Sequence, residues 1–365
     1  YLSDDLLITA FNQNGIWKLA KLDVEHQTSE NYLIPYTEFG RGDVRVRPDR
    51  VVFQAASTEE PMAILSMDTT GKDLIKIKSS NSNTIDPEYV SVPEAITYET
   101  DDGFDIHAFL YRPTNPRYSG LPDEKPPLLV KSHGGPTGAT SIALDLSIQF
   151  WTSRGFSVLD VNYGGSTGYG REYRELLRGN WGIRDVNDCA GGALHLVKTG
   201  IVDGNRLAIQ GGSAGGYTTL ACLTFTDVFQ IGASYYGVSD LQTLATDTHK
   251  FESRYLDGLI GRYPESKDLY SKRSPINYID QLSCSLILFQ GQEDKIVPPD
   301  QAENMFTAVK SKGFPSAYIN FENEQHGFRQ ASNIKKAIEA QYYFFSRVFG
   351  FELNENVDSI EIANL

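Results

Sequence analysis

Two serines of this chain occupy the same pentapeptide pattern, G-x-S-x-G. Ser166 lies in Gly164-Gly165-Ser166-Thr167-Gly168 and Ser213 in Gly211-Gly212-Ser213-Ala214-Gly215. The pattern suits a strained strand-to-helix turn that lifts a serine hydroxyl out of the fold as a nucleophile. A hydroxyl attacks well only when a base takes its proton and a third group fixes that base. After Ser213, "GQED" brings Asp294 and "NEQHG" brings His326, in the order Ser, Asp, His that such a nucleophile requires in a parallel-sheet hydrolase. Asp294 would hold the imidazole of His326 in one tautomer, and His326 would take the Ser213 proton. Glu293, next to Asp294, is the alternative acid, but adjacent loop residues point differently and Asp294 is preferred. His133-Gly134-Gly135-Pro136 follows an early strand, where the loop completing an oxyanion hole belongs. Main-chain N–H groups of Gly135 and Ala214 would face the negative oxygen of a tetrahedral intermediate, each donor worth roughly 3–4 kcal/mol of barrier.

The elements that must carry these residues decide between the serines. Ser213 is followed at once by Ala214, Gly215, Gly216 and the helix-compatible "YTTLACLTF". Ser166 is followed by Gly168, Tyr169 and Gly170 before helical residues begin at Arg171, which reads as a loop and not an elbow. Ser166 also sits one strand too early. From "LLVKSHGG" onward, strand and helix patterns alternate: "SVLDVNYGG", "RLAIQGG", "IGASYYG", "LILFQGQED" and "AYINFENEQHG" read as strands. "LDLSIQFWTSRG", "VNDCAGGALHLVKTG", "DQAENMFTAVKSKG" and "NIKKAIEAQYYFFSRVFG" read as helices. This alternation predicts an α/β sheet with its chemistry on the loops after the strands' carboxyl ends. "AITYET" and "FDIHAFLYRP", joined at Asp101-Asp102-Gly103, predict a hairpin before it. Of the other histidines, His26, His107, His195 and His249 read as structural or solvated, and His133 as a shaper of the oxyanion loop.

Residues 1–95 read differently, as β-structure with turn signals. "WKLAKLD" ends at Asp23 and "MAILSMD" at Asp68, 45 residues apart, a period that fits a four-stranded propeller blade. A small sandwich with two similar hairpins is the alternative. Two blades cannot close a ring, and the chain opens at Tyr1 without a methionine, so it is expected to be the carboxyl-terminal part of a longer protein. The division expected is a β-rich region over 1–95 and a catalytic domain over 96–365. With 33 basic and 47 acidic residues the net charge is −14, which argues against nucleic acid or an anionic membrane as the main partner. No apolar run is long enough for a membrane span. Cys189, Cys222 and Cys284, odd in number and widely spaced, suggest no disulfide framework and no zinc site, and fit a reducing compartment such as the cytoplasm. No nucleotide loop or metal cluster is present, so no cofactor is expected. A homo-oligomer is left open.

Together, "KSHGGP", "VNYGGSTGYGREYRE", "GNWGIRDVNDC", "GGSAGGY", "RSPINYID", "GQEDKIVPPDQA" and "EQHGF" resemble the prolyl oligopeptidase family of serine peptidases, in its acylaminoacyl-peptidase and dipeptidyl-aminopeptidase-like branch. The resemblance covers about residues 95–350. It implies an α/β-hydrolase fold, a mostly parallel sheet flanked by helices, preceded by a partial β-propeller of the kind that filters substrates by size. It implies Ser213 as nucleophile, Asp294 as orienter, His326 as base, and Gly135 and Ala214 as oxyanion donors. It further implies Val238 and Leu241 as lining of an apolar pocket for the residue before the scissile bond. Ser285 and Gln290 depart from the family pattern, where proline and histidine are usual. The substrates implied are short peptides cleaved near the amino terminus; small acyl or aminoacyl esters and amides are the rival, and a non-catalytic interaction platform the alternative of another class.

Overall fold

A computed structural model describes residues 1–40, 43–81, 85–247 and 253–365. The chain begins with an antiparallel sheet of β1 (Leu6–Gln13), β2 (Ile16–Asp23) and β3 (Thr28–Asn31). Asn14 and Gly15 join β1 to β2 with φ of 55° and 78°, the left-handed pair that a two-residue hairpin turn demands. A second antiparallel sheet holds β4 (Glu38–Phe39), β5 (Arg45–Val46), β6 (Arg50–Ala56), β7 (Ala63–Asp68) and β8 (Ile75–Ser79). The two sheets share an apolar core that includes Leu19, Phe53, Leu65 and Met67. The 45-residue spacing has a structural counterpart: β2 and β7 are each the return strand of a hairpin, paired with β1 and β6.

The second body is built on β9 (Glu94–Glu99), β10 (Asp105–Tyr111), β11 (Leu128–Ser132), β12 (Ser157–Asn162), β13 (Leu207–Gly212), β14 (Ile231–Tyr235), β15 (Ser285–Gly291) and β16 (Ser316–Phe321). Among the described residues these eight form one sheet in the order β16-β15-β14-β13-β11-β12-β10-β9. β9, β10 and β12 pair antiparallel, and every pairing from β12 through β11 to β16 is parallel. β15, covered on both faces, is buried along its whole length, as a central parallel strand must be. The helices are α1 (Leu146–Thr152), α2 (Arg171–Glu175), α3 (Arg184–Lys198), α4 (Ala214–Phe225), α5 (Leu241–Asp247), α6 (Tyr255–Leu259), α7 (Lys267–Lys272), α8 (Asp300–Ser311) and α9 (Ala331–Phe349). α4 is buried from Ala214 to Thr224, so it shows no polar face. Its Thr219 and Thr224 hydroxyls donate to carbonyls one turn back, at 3.0 and 2.8 Å, which makes their burial tolerable.

The sequence pattern missed β3, the two-residue β4 and β5, and the group α5 to α7, whereas α2 begins at Arg171 where helical residues were expected. β3 is fully exposed and polar, and the missed helices are five to seven residues long, too short to show a period. No helix among the described residues is long and apolar enough to cross a membrane.

Candidate active site

The turn between β13 and α4 is set by glycines. A Cβ at Gly211 would collide with the backbone of Gly215, and one at Gly215 with the carbonyl of Ser132. Only hydrogen fits where these three segments cross, so the chain can reverse sharply. The residue at the tip is Ser213, with φ 56° and ψ −121°, a left-handed conformation that costs a non-glycine residue of order 1–3 kcal/mol. It is held by its N–H donating to Tyr235 O at 3.0 Å and by its carbonyl accepting from Tyr217 N–H at 3.0 Å.

Asp294 lies in the loop after β15, almost wholly buried. Its Oδ1 accepts from the N–H groups of Ile296 and Val297, both at 2.9 Å. Its Oδ2 faces His326 Nδ1 at 2.8 Å and the Gln290 amide at 3.3 Å. His326 Nε2 lies 2.8 Å from Ser213 Oγ. With the carboxylate accepting from Nδ1–H, neutral His326 presents the Nε2 lone pair to the serine hydroxyl. Three segments thus make one connected line. Glu293 is exposed, its N–H tied to Glu324 O at 2.9 Å, and it is Asp294 whose carboxylate meets His326. Gln290 also donates to Val297 O at 3.0 Å, so this departure from the family pattern braces the acid loop. Ser285 supplies an N–H to Gln230 O at 3.1 Å that a proline would lack.

The His326 loop has its own support, which sequence reasoning missed. Glu324, buried, accepts from Arg329 N–H, Gln330 N–H and Asn333 Nδ2, each at 2.9 Å. Burial alone would raise its carboxyl, but these donors outweigh it and hold the pKa below the ordinary value.

A cavity of about 240 Å³ opens beside Ser213 and His326. Gly135, Ala214 and Val238 line it, together with Trp181, Leu244 and Tyr255. Leu241 does not: it is fully buried in the core below, its N–H donating to Ser274 Oγ at 2.9 Å. Leu244, one helical turn later on α5, takes the lining position, a correction that required knowing α5 is a helix. The wall is apolar apart from the reacting groups. Ala214 is the first residue of α4, where N–H groups have no partner within the helix. Gly135 carries φ 127°, and a Cβ there would strike the backbone N of Gly138.

Ser166, the other candidate, has no exposed surface. Its Oγ sits 2.7 Å from His133 Nε2 and 2.7 Å from Tyr163 O. It is a tie within the loop over Gly164–Gly170, binding that loop to the H-G-G-P turn. His133 stacks on Tyr163, and burial pushes its imidazole down to about 4, so it stays neutral. His26 pairs with Asp23 in an exposed turn, His107 stacks on Tyr169, and His195 stacks on Tyr98. His249 lies outside the described residues.

A family model for the prolyl oligopeptidase family matches residues 142–352, the segment that carries Ser213, Asp294 and His326. The chain belongs to the prolyl oligopeptidase family. Among its relatives, dipeptidyl aminopeptidase BIII of Pseudoxanthomonas mexicana is 29% identical over 311 residues, covering 81% of this chain and 45% of that protein. The acylamino-acid-releasing enzyme of Homo sapiens is 31% identical over 242 residues, 62% of this chain and 32% of that one. The solved structure of a Mycobacterium tuberculosis puromycin-hydrolyzing peptidase superposes with a TM-score of 0.92 at 42% identity, covering 96% of this chain and 53% of its own. The chain spans about half the length, or less, of the family members it matches. A mostly parallel sheet flanked by helices, with antiparallel sheets before it, is the prolyl oligopeptidase arrangement of a propeller and an α/β-hydrolase fold.

Proposed function

We propose that this chain carries the hydrolytic centre of a serine peptidase that cleaves short peptides near their amino terminus through an acyl-enzyme on Ser213. The observation that carries the reading is the line Asp294–His326–Ser213, with both hydrogen bonds at 2.8 Å. His326 removes the hydroxyl proton as Ser213 attacks the carbonyl, and Asp294 stabilises the imidazolium that forms. The N–H groups of Gly135 and Ala214 receive the oxyanion. His326 then gives the proton to the leaving amine, and water repeats the cycle on the ester. Val238, Leu244 and Trp181 receive an apolar side chain beside the scissile bond. The division proposed is a β-rich region over 1–95 and the catalytic domain over 96–365; three buried unpaired thiols favour a reducing setting such as the cytoplasm.

A second reading keeps the same centre but assigns small aminoacyl amides or esters. The likeness to a puromycin-hydrolyzing peptidase and the modest cavity favour it. A fluorophosphonate probe tests the centre: labelling is expected in wild type and in Ser166→Ala and absent in Ser213→Ala, whereas an unlabelled wild type overturns the reading. Hydrolysis rates on aminoacyl-anilides, amino-blocked peptides and short acyl esters then separate the two substrate classes, and esters cleaved without peptides would select the second.

A further inference from the structure

Tyr255 is 120 residues from Gly135 in sequence, yet its hydroxyl donates to the Gly135 carbonyl at 3.1 Å. The same oxygen accepts from Thr137 N–H at 3.3 Å and lies 2.7 Å from Thr137 Oγ1. A phenol has one proton and two lone pairs. The proton goes to Gly135 O and the lone pairs to the two Thr137 donors, so the hydroxyl is fully committed to this loop. The ring of Tyr255, meanwhile, forms part of the cavity wall.

The far side of the loop is fixed differently. Tyr163, buried, donates to Pro136 O at 2.7 Å, and the His133 ring meets Gly134 O at 2.9 Å. On the cavity side Gly135 has no side chain to restrain it and sits at positive φ. Its N–H and its carbonyl flank a single Cα, so a hold on the carbonyl limits the swing of the N–H. From these contacts we propose that Tyr255 is a positioning residue, coupling the filling of the apolar cavity to the alignment of the Gly135 oxyanion donor. The proposal rests on the hydrolase reading above. A side chain that packs on the Tyr255 ring would steady the hydroxyl, and a substrate that leaves the cavity empty would not. Selectivity would then appear in kcat, because the gain is realised as the oxyanion forms.

The test compares wild type, Tyr255→Phe and Thr137→Val on phenylalanyl- and alanyl-p-nitroanilide, with amide hydrogen exchange over residues 133–138 as a second measure. Tyr255→Phe keeps the ring, so KM for the phenylalanyl substrate is expected to stay within about twofold. Its kcat is expected to fall about tenfold, the weight of one hydrogen bond. The kcat ratio between the two substrates should shrink toward one, exchange over 133–138 should rise, and Thr137→Val should move in the same direction by less. An unchanged kcat, or a rise in KM alone, reduces Tyr255 to a wall and overturns the coupling. If wild type neither cleaves these substrates nor takes a fluorophosphonate, the hydrolase reading has failed. The exchange measurement still decides the clamp in that case, and equal exchange in wild type and Tyr255→Phe defeats it.

Discussion

Ser166 and Ser213 share a motif and both contact a histidine, yet only one has the surroundings of a nucleophile. Ser166 is sealed from solvent and its histidine is held neutral by burial. Ser213 faces a cavity, and its histidine is oriented by a buried carboxylate. The carboxylate is testable by a near-isosteric change. In Asp294→Asn the amide oxygen can still accept from Ile296 and Val297 N–H, so the loop should survive. The amide nitrogen, however, would face His326 Nδ1 and enforce the tautomer that points Nε2–H at the serine. A kcat loss of about 10⁴ with little change in thermal midpoint is expected. A loss below tenfold on an aminoacyl-anilide would remove Asp294 from the mechanism.

At the scale of elements, the site depends on three backbone segments crossing where Gly211 and Gly215 carry no side chain and meet each other and the Ser132 carbonyl. Gly215→Ala places a methyl against a main-chain carbonyl that cannot move without disturbing β11, and should cost at least about 2 kcal/mol. Gly155→Ala serves as a control: it meets nothing within 4 Å and carries only the left-handed penalty of about 1–2 kcal/mol, its φ being 87°. Denaturation midpoints check both; a Gly215 variant no worse than the Gly155 variant would contradict the crossing argument. The elbow was legible in the sequence because small residues must recur where backbones touch, and Asp294 and His326 because each follows an apolar strand. The pocket wall was not. Trp181, Leu244 and Tyr255 come from a loop and two short helices whose packing depends on contacts across the sheet, so Leu241 was expected where Leu244 stands. Glu324 escaped for the same reason: a buried carboxylate that holds a turn looks, in sequence, like any exposed glutamate.

For the molecule as a whole, the site rests on a buried pair of acids in "RDVND". Asp185 accepts from Gly182 N–H at 2.6 Å and from the Thr218 hydroxyl at 2.5 Å, joining the Trp181 loop to the helix behind Ser213. Asp188, on α3 with Asp185, accepts from Gly164 N–H at 2.7 Å, joining α3 to the Ser166 loop. Burial raises Asp185 to about 6 and Asp188 to about 7, hydrogen bonds lowering them only in part. A carboxyl whose folded pKa exceeds its unfolded value near 4 keeps its proton longer when folded. The folded state therefore binds more protons between about pH 4 and 7, and this pair's contribution to stability falls as pH rises through that window. Asp185→Asn keeps both contacts, its oxygen accepting from Gly182 and its nitrogen donating to Thr218 Oγ1, whose proton can turn to Ala214 O at 3.1 Å. The difference in Tm, variant minus wild type, should rise from pH 5 to pH 8 by roughly 2 °C, corresponding to a shift on the order of 1.4 kcal/mol. If scanning calorimetry finds that difference flat across the window, Asp185 ionises as easily inside the fold as outside it. The contacts to Gly182 and Thr218 would then be made by a carboxylate charged throughout that window, and not by a protonated acid.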